Sequence, residues 1–262
     1  MRDFEKAAQI FESSFSADEY FDSMSCEFAK NTLINIIKNT ETPLAFLLGD
    51  PGVGKTYMLH LIKKSFSDTH KILFASDPFT SAESFLQFLL GESYDTDLSI
   101  LDLKESAIAM YRDLDHIIMI DEAQLLDESI LEYIRILSDT KVFNFILSMH
   151  KDDGMAIVKK PHFASRDHRV VTIGLLEKKE FKHYLESRLL QNGLGSLAES
   201  FKDRELSLIS RYANGNFRMS KQMLKHLFLI MDYAKINGLE KYINPNRCVI
   251  TMAAIDLGFL DE

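Results

Sequence analysis

An α/β domain on a parallel sheet, followed by an all-helical domain, is the fold this sequence predicts. Three observations carry that reading. Short apolar runs alternate with amphipathic stretches between residues 44 and 173. A glycine-rich turn joins the first run to the first amphipathic stretch. Beyond residue 177 the apolar runs stop, and helical periodicity continues alone.

The elements follow in order. The first forty residues read as an N-terminal extension with a helix over 26–38. Apolar runs at 44–48, 71–75, 117–120, 142–148 and 169–173 have the length and β-branched or aromatic content of buried strands. Between them, 55–64, 82–90, 101–111 and 129–137 place apolar residues at helical spacing. Strand–helix alternation of this kind builds βαβ units, whose sheet is covered on both faces. From 178 onward the segments 178–190, 207–213, 219–234 and 251–257 predict helices. Gly193, Gly195, Gly215 and Gly238 punctuate them. The expected division is an extension over 1–40, an α/β domain over 41–176 and a helical domain over 177–262.

Composition bounds the function classes. The 262 residues are 46% hydrophobic and 26% charged, as in an ordinary globular protein. Apolar stretches fall far short of the roughly 18 residues that a membrane-spanning helix needs. The N-terminus lacks the apolar core of a signal peptide, so a cytoplasmic protein is expected. Cys26 and Cys248 form neither a disulfide framework nor a metal-ligand spacing, and the eight histidines form no cluster. The net charge is −9, unevenly spread. Residues 1–176 carry 17 basic and 28 acidic side chains, and residues 177–262 carry 13 and 11. An acidic body argues against non-specific wrapping of nucleic acid but leaves room for a local basic site.

Two motifs carry chemistry. Gly49-Asp50-Pro51-Gly52-Val53-Gly54-Lys55-Thr56 matches G-x-x-x-x-G-K-[ST] between a predicted strand and a predicted helix. Its glycines let the backbone aim N–H groups at phosphate oxygens, and the helix N-terminus adds partial positive charge there. Lys55 reaches the β and γ phosphates, and Thr56 offers its hydroxyl to Mg²⁺. ATP and Mg²⁺ are the expected ligand and cofactor. The nucleotide-binding set is Gly49 to Thr56 with Tyr57. The second motif is an apolar run ending in Asp121-Glu122-Ala123-Gln124. A strand end in such a sheet opens on the ligand crevice. Asp121 is placed to hold Mg²⁺ with Thr56, and Glu122 to polarise the attacking water.

The motifs resemble the AAA+ class of P-loop ATPases. The resemblance implies a three-layer αβα domain with a five-stranded parallel sheet, then a small helical lid. It also implies roles for further residues. Ser148-Met149-His150 ends the fourth strand, where the class carries a γ-phosphate sensor. His150 fits by position and Ser148 by chemistry. Arg166 precedes the fifth strand, where the class carries an arginine finger acting on a neighbouring subunit. Arg169 is its rival, and a surface arginine paired with Asp167 is the alternative. Arg218 opens a helix of the lid, where the class carries a second sensor that contacts ATP. Tyr20 and Phe21 are candidates to flank adenine, and Asn144 reads as a structural hydrogen-bonder.

Within the class, the chain looks most like the branch of general secretion pathway protein A, the MSHA-pilus ATPase and the transposition protein TniB. Residues 120–124 with 131–138 resemble that branch's acidic signature, and 180–189 resemble its "E-x-x-x-Y-I-x-x-R-L" helix. Arg166 lies ten residues before Leu176, as the branch's arginine does before its L-x-P-L segment. One departure is Met149-His150-Lys151-Asp152, where the branch has Gly-Gln-Pro-Glu. The membrane segment and peptidoglycan-binding domain of the secretion-type relatives have no counterpart in these residues, so a cell-wall role is not carried over.

The resemblance implies a homo-oligomeric ATPase that assembles or remodels a partner, with secretion or type IV pilus machinery as the analogy. Such a partner would allow a peripheral position at the inner membrane. The alternative is a DNA-associated regulator like the transposition ATPases, which the acidic charge disfavours.

Overall fold

The computed structural model describes residues 2–12, 21–39, 43–91 and 98–260. The chain opens with α1 (Asp3–Ile10) and α2 (Met24–Asn39). The α/β stretch runs β1 (Leu44–Gly49), α3 (Lys55–Phe66), β2 (Lys71–Ala75), α4 (Ala82–Leu90), α5 (Ile100–Tyr111) and β3 (His116–Ile120). It continues with α6 (Glu128–Asp139), β4 (Phe145–His150), α7 (Lys151–Val158), α8 (Pro161–Ala164) and β5 (Arg169–Thr172). The helices α9 (Lys178–Gln191), α10 (Gly195–Glu199), α11 (Asp203–Tyr212), α12 (Phe217–Ile236) and α13 (Arg247–Asp256) complete it.

Contacts divide the chain into two compact units. One holds Met24–Pro51 and Lys55–Ile173; the other holds Met1–Ser23, Gly52–Gly54 and Gly174–Glu262. The N-terminal segment is thus shared, with α2 in the α/β unit and α1 in the helical unit.

The α/β unit is a parallel five-stranded sheet in the order β2-β3-β4-β1-β5, flanked by helices. Strand burial follows from that order. Each residue of β1 and β3 is buried, because these strands have a neighbour on both sides and helices over both faces. The edge strands β2 and β5 expose their first residues, Lys71 and Arg169. Charged starts of this kind discourage edge-to-edge pairing. Phe46, Leu48, Ile118, Ile120, Leu147 and Met149 face one core, with Phe85, Leu86 and Ile134 from the helices.

The fourth strand differs from its expected span. The ladder starts at Phe145 rather than at residue 142 and extends to His150. Lys141 turns with φ 56°, and Phe143 is buried in an aromatic group with Tyr111, His116 and Phe145 before the ladder begins. Asn144 bridges to β3, its amide donating to the His116 carbonyl at 3.4 Å while its own carbonyl accepts from Ile118. The helix α7 was not anticipated. It starts directly after β4, with Asp152 and Asp153 in its first turn, where carboxylates suit the positive end of a helix.

The helical unit has its own core. Phe181, Tyr184 and Leu185 of α9 meet Leu206 and Ile209 of α11, Leu227 and Phe228 of α12, and Val249 and Ile250 of α13. Phe4 and Ala7 of α1, and Phe11 after it, belong to the same cluster. Arg2 anchors this end, its guanidinium gripping Asp232 with bonds of 2.9 and 2.8 Å.

Candidate functional site

The site is built at the C-terminal edge of the sheet, where β1, β4 and β3 end side by side. Register puts Gly49 opposite His150 and Ile120 opposite Leu147. Asp121 and Ser148 each follow by one residue, so the loop start, the carboxylates and the polar end of β4 share one edge.

The glycine-rich turn leaves β1 through Asp50 and Pro51 and enters α3 at Lys55. Gly52 and Gly54 have φ of 83° and 106°, a region that side-chain-bearing residues rarely adopt. That backbone explains why glycine is needed at both positions. Lys55 is buried, and its Nζ donates to the carbonyls of Gly49 and Asp50 at 3.0 and 3.3 Å. The ammonium is thereby held inside the loop it would share with a phosphate. Within the helical unit, the Gly52 carbonyl accepts the Arg218 N–H at 3.2 Å, and the Asn216 side chain caps α12 by accepting from Met219. Val53 is buried, whereas Thr56 is exposed at the first turn of α3 and Tyr57 is half-buried behind it.

Thr56 and Asp121 lie 65 residues apart in sequence and meet here. The Thr56 hydroxyl donates to Asp121 Oδ2 at 2.6 Å, and Asp121 Oδ1 accepts the Glu122 N–H at 3.0 Å. Asp121 is buried. A hydroxyl and a carboxylate converging beside a phosphate-loop lysine are the hard oxygen donors that Mg²⁺ takes alongside phosphates and water. The donor set therefore fits the ion. Among the described residues no group of three or more His, Cys, Asp or Glu could hold a metal ion.

Glu122 has φ 48° and ψ 35°, left-handed backbone for a non-glycine residue. Strain of this kind costs about 1–3 kcal/mol and persists where the surroundings fix it. Here a short 3₁₀ turn, 123–125, follows at once. The Gln124 amide donates to Glu122 Oε2 at 2.5 Å, while its carbonyl oxygen accepts the His150 N–H at 3.3 Å. The His150 imidazole Nε2 lies 3.5 Å from the same Glu122 oxygen. Gln124 thus ties the acidic turn to the end of β4. Nothing in the sequence pattern assigns Gln124 this role.

Ser148 is fully buried and its hydroxyl has no hydrogen-bond partner among the described residues. His150 is half-buried and beside Glu122. The two sensor candidates therefore differ in access: His150 faces the carboxylate, and Ser148 is enclosed in the sheet.

Arg166 is not paired with Asp167. Its Nε donates to both oxygens of Asp139, at 3.0 and 3.2 Å, and Nη1 to the Ser165 hydroxyl. The end of α6 presents Asp139 across from α8, and Arg135 grips the same carboxylate at 2.8 Å. Arg166 is exposed, as is Arg169 at the start of β5. The Arg218 side chain is exposed on the first turn of α12. Phe21 packs its ring on Tyr184, with centroids 5.2 Å apart, and belongs to the helical core. Tyr20 lies outside the described residues.

Comparison with known proteins bears on the fold. Residues 38–152 match the model of an AAA domain. That segment holds the phosphate loop, the acidic turn and the end of β4. No curated protein matches the chain. Solved structures share the fold at low identity. The ORC2 protein of Aeropyrum pernix, in ADPNP–ADP complexes, is 15% identical over 94% of this chain and 71% of its own, with TM-score 0.60. The RuvB Holliday junction branch migration motor of Thermotoga maritima is 17% identical over 97% and 76%, with TM-score 0.56. The Drosophila ORC bound to DNA is 13% identical over 96% and 65%, with TM-score 0.67. The fold is therefore that of the AAA+ P-loop ATPases. The chain spans about two thirds to three quarters of each of these proteins.

Proposed function

We propose that this chain is a Mg²⁺-dependent ATPase whose nucleotide state controls the assembly of a partner. The observation that carries the reading is the meeting of Thr56 and Asp121 at 2.6 Å, beside Lys55 and next to the constrained Glu122. The working division is a nucleotide-binding domain over 41–176 and a lid domain over 177–262.

Each residue then has a defined task. Backbone N–H groups from Gly49 to Thr56, with Tyr57 behind them, cradle the phosphates. Lys55 moves its ammonium from the loop carbonyls to the β and γ oxygens. Thr56 and Asp121 would hold Mg²⁺, which offsets negative charge as the γ-phosphate departs. Glu122 accepts a proton from the attacking water, and Gln124 keeps its carboxylate aimed. His150 senses the γ-phosphate from beside Glu122; the enclosed Ser148 is the poorer candidate. Arg218 contacts nucleotide from the first turn of α12. Arg166, released from Asp139, acts on the site of a neighbouring copy, which makes turnover depend on a homo-oligomer. Such fingers contribute roughly 10³–10⁵ in rate.

The Glu122→Gln variant tests the assignment. It should bind ATP like the wild type and lose turnover by about 10²–10⁴, the usual share of a general base. Wild-type turnover in this variant would remove Glu122 from the mechanism.

For the partner, DNA is the reading with specific support. One of the similar structures is described as an ORC bound to DNA, and another as a Holliday junction branch migration motor. The helical segment from 177 is also the basic part of an otherwise acidic chain. The secretion or pilus reading rests on the motif resemblance alone, over 120–124, 131–138 and 180–189 and in the spacing of Arg166 to Leu176. No helix among the described residues is long and apolar enough to cross a membrane.

A further inference from the structure

The helical unit contains a groove of about 360 Å³ lined by Arg204, Glu205, Ser207, Leu208, Arg211 and Arg247. Arg204 and Arg211 are seven residues apart on α11, so they share one face, about 10 Å apart along the axis. Ser207 lies between them on that face. Leu206 and Ile209 turn to the core on the other side, which fixes the arginine face outward. Arg247 approaches from a second helix as the first residue of α13. The α13 N-terminus is capped by Asn246, whose side chain accepts from Cys248 and Val249.

The three guanidinium groups are exposed and carry no ion pair among the described residues. Glu205 is the one acid among three arginines in the lining, and its buried Oε2 has no hydrogen-bond partner among the described residues. The groove is thus a local excess of positive charge on a chain of net charge −9. Nothing in the nucleotide chemistry uses these residues, and they belong to neither motif.

We infer that this groove is a phosphate-binding site for the backbone of a nucleic acid, with Arg204, Arg211 and Arg247 each meeting a phosphodiester. Guanidinium forks pair with phosphate oxygens. Arg204 and Arg211 are spread about 10 Å along α11 and Arg247 comes from a second helix, so the groove's charge follows a length that successive phosphates of a chain can match. The acidic remainder of the molecule repels a polyanion and confines contact to this face. The inference rests on the DNA reading above and is independent of the ATPase assignment.

Fluorescence anisotropy of a labelled 30-base-pair duplex, titrated with the full chain across a salt series, tests it. The variants are the single alanines at 204, 211 and 247 and the triple replacement. Exposed arginines leave the fold intact, which circular dichroism and ATP binding check. The triple variant should bind roughly tenfold or more weakly at low salt. The slope of log K against log salt should fall by about 0.9 for each arginine removed. Wild-type binding with an unchanged affinity and slope in the triple variant overturns the groove while the DNA reading stands. No duplex binding by the wild type at low salt overturns both. Inorganic phosphate is titrated in parallel by calorimetry. Its binding at this site without duplex binding assigns the groove to small phosphates and overturns the nucleic-acid inference.

Discussion

At the scale of single residues, the site is a set of short bonds that the motifs alone do not specify. The spacing of Gly49 to Thr56 makes the phosphate loop legible, because only glycine accepts the backbone of Gly52 and Gly54 without strain. The Asp121-Glu122 pair is legible for a different reason, as a charge step at the end of a fully buried strand. Gln124 is not legible, because an amide two residues beyond a carboxylate has no pattern that separates a clamp from a surface side chain. Its role rests on bonds to both Glu122 and His150. Replacing Gln124 by alanine should lower kcat about tenfold and leave KM for ATP nearly unchanged, since the clamp aims the base without touching nucleotide. An equal rise in KM would make Gln124 a binding residue instead. Arg166 shows the same limit. Its sequence neighbour Asp167 was the natural partner on paper, whereas α6 delivers Asp139 from 27 residues away.

At the scale of elements, local patterns located the strands, and tertiary contacts set their ends. The run at 142–148 is apolar throughout, so periodicity could not tell which of its residues pair. The ladder begins at Phe145 because Phe143 is used in an aromatic cluster instead. That cluster predicts a pH dependence. His116 is buried with its ring against Tyr111 and Phe143, its Nδ1 on the Leu114 carbonyl and its Nε2 without a hydrogen-bond partner among the described residues. Burial lowers its pKa, with Lys71 and His70 adding to the effect against the Leu114 bond and Asp115. The unfolded chain therefore takes up this proton more readily than the folded one. The neutral ring contributes stability above about pH 6.5, its ordinary value, and loses it as pH falls through the lowered one. Thermal melts from pH 7.5 to 5 should show a steeper decline for the wild type than for His116→Phe; parallel curves would refute this. A second test concerns α7. A side chain on Gly154 would meet Leu48 Cδ2 at 2.3 Å and Met149 Cβ at 3.3 Å. Gly154→Ala should cost about 1–3 kcal/mol by overpacking the contact between helix and sheet. A denaturant midpoint equal to that of the wild type would show that Leu48 yields freely.

At the scale of the whole molecule, the fold class was legible because the first three apolar runs of the α/β part were each followed by a helical pattern. The connections of a parallel sheet then follow from general rules. The grouping of the N-terminal segment was not legible. Phe4, Ala7 and Phe11 read as an extension, yet they complete the core of the helical unit, a contact between residues about 200 apart. The arginine groove escaped for a similar reason: Arg204, Arg211 and Arg247 form no run in the sequence, and only packing gathers them. The central claim at this scale is ATP turnover that requires a neighbouring copy to present Arg166. The most direct test is the specific ATPase rate, with Mg²⁺, as a function of protein concentration. A rate per chain that climbs with concentration to a plateau, with Arg166→Ala staying near the dilute value, is the predicted result. Tight ATP binding with no turnover at any concentration would contradict the account.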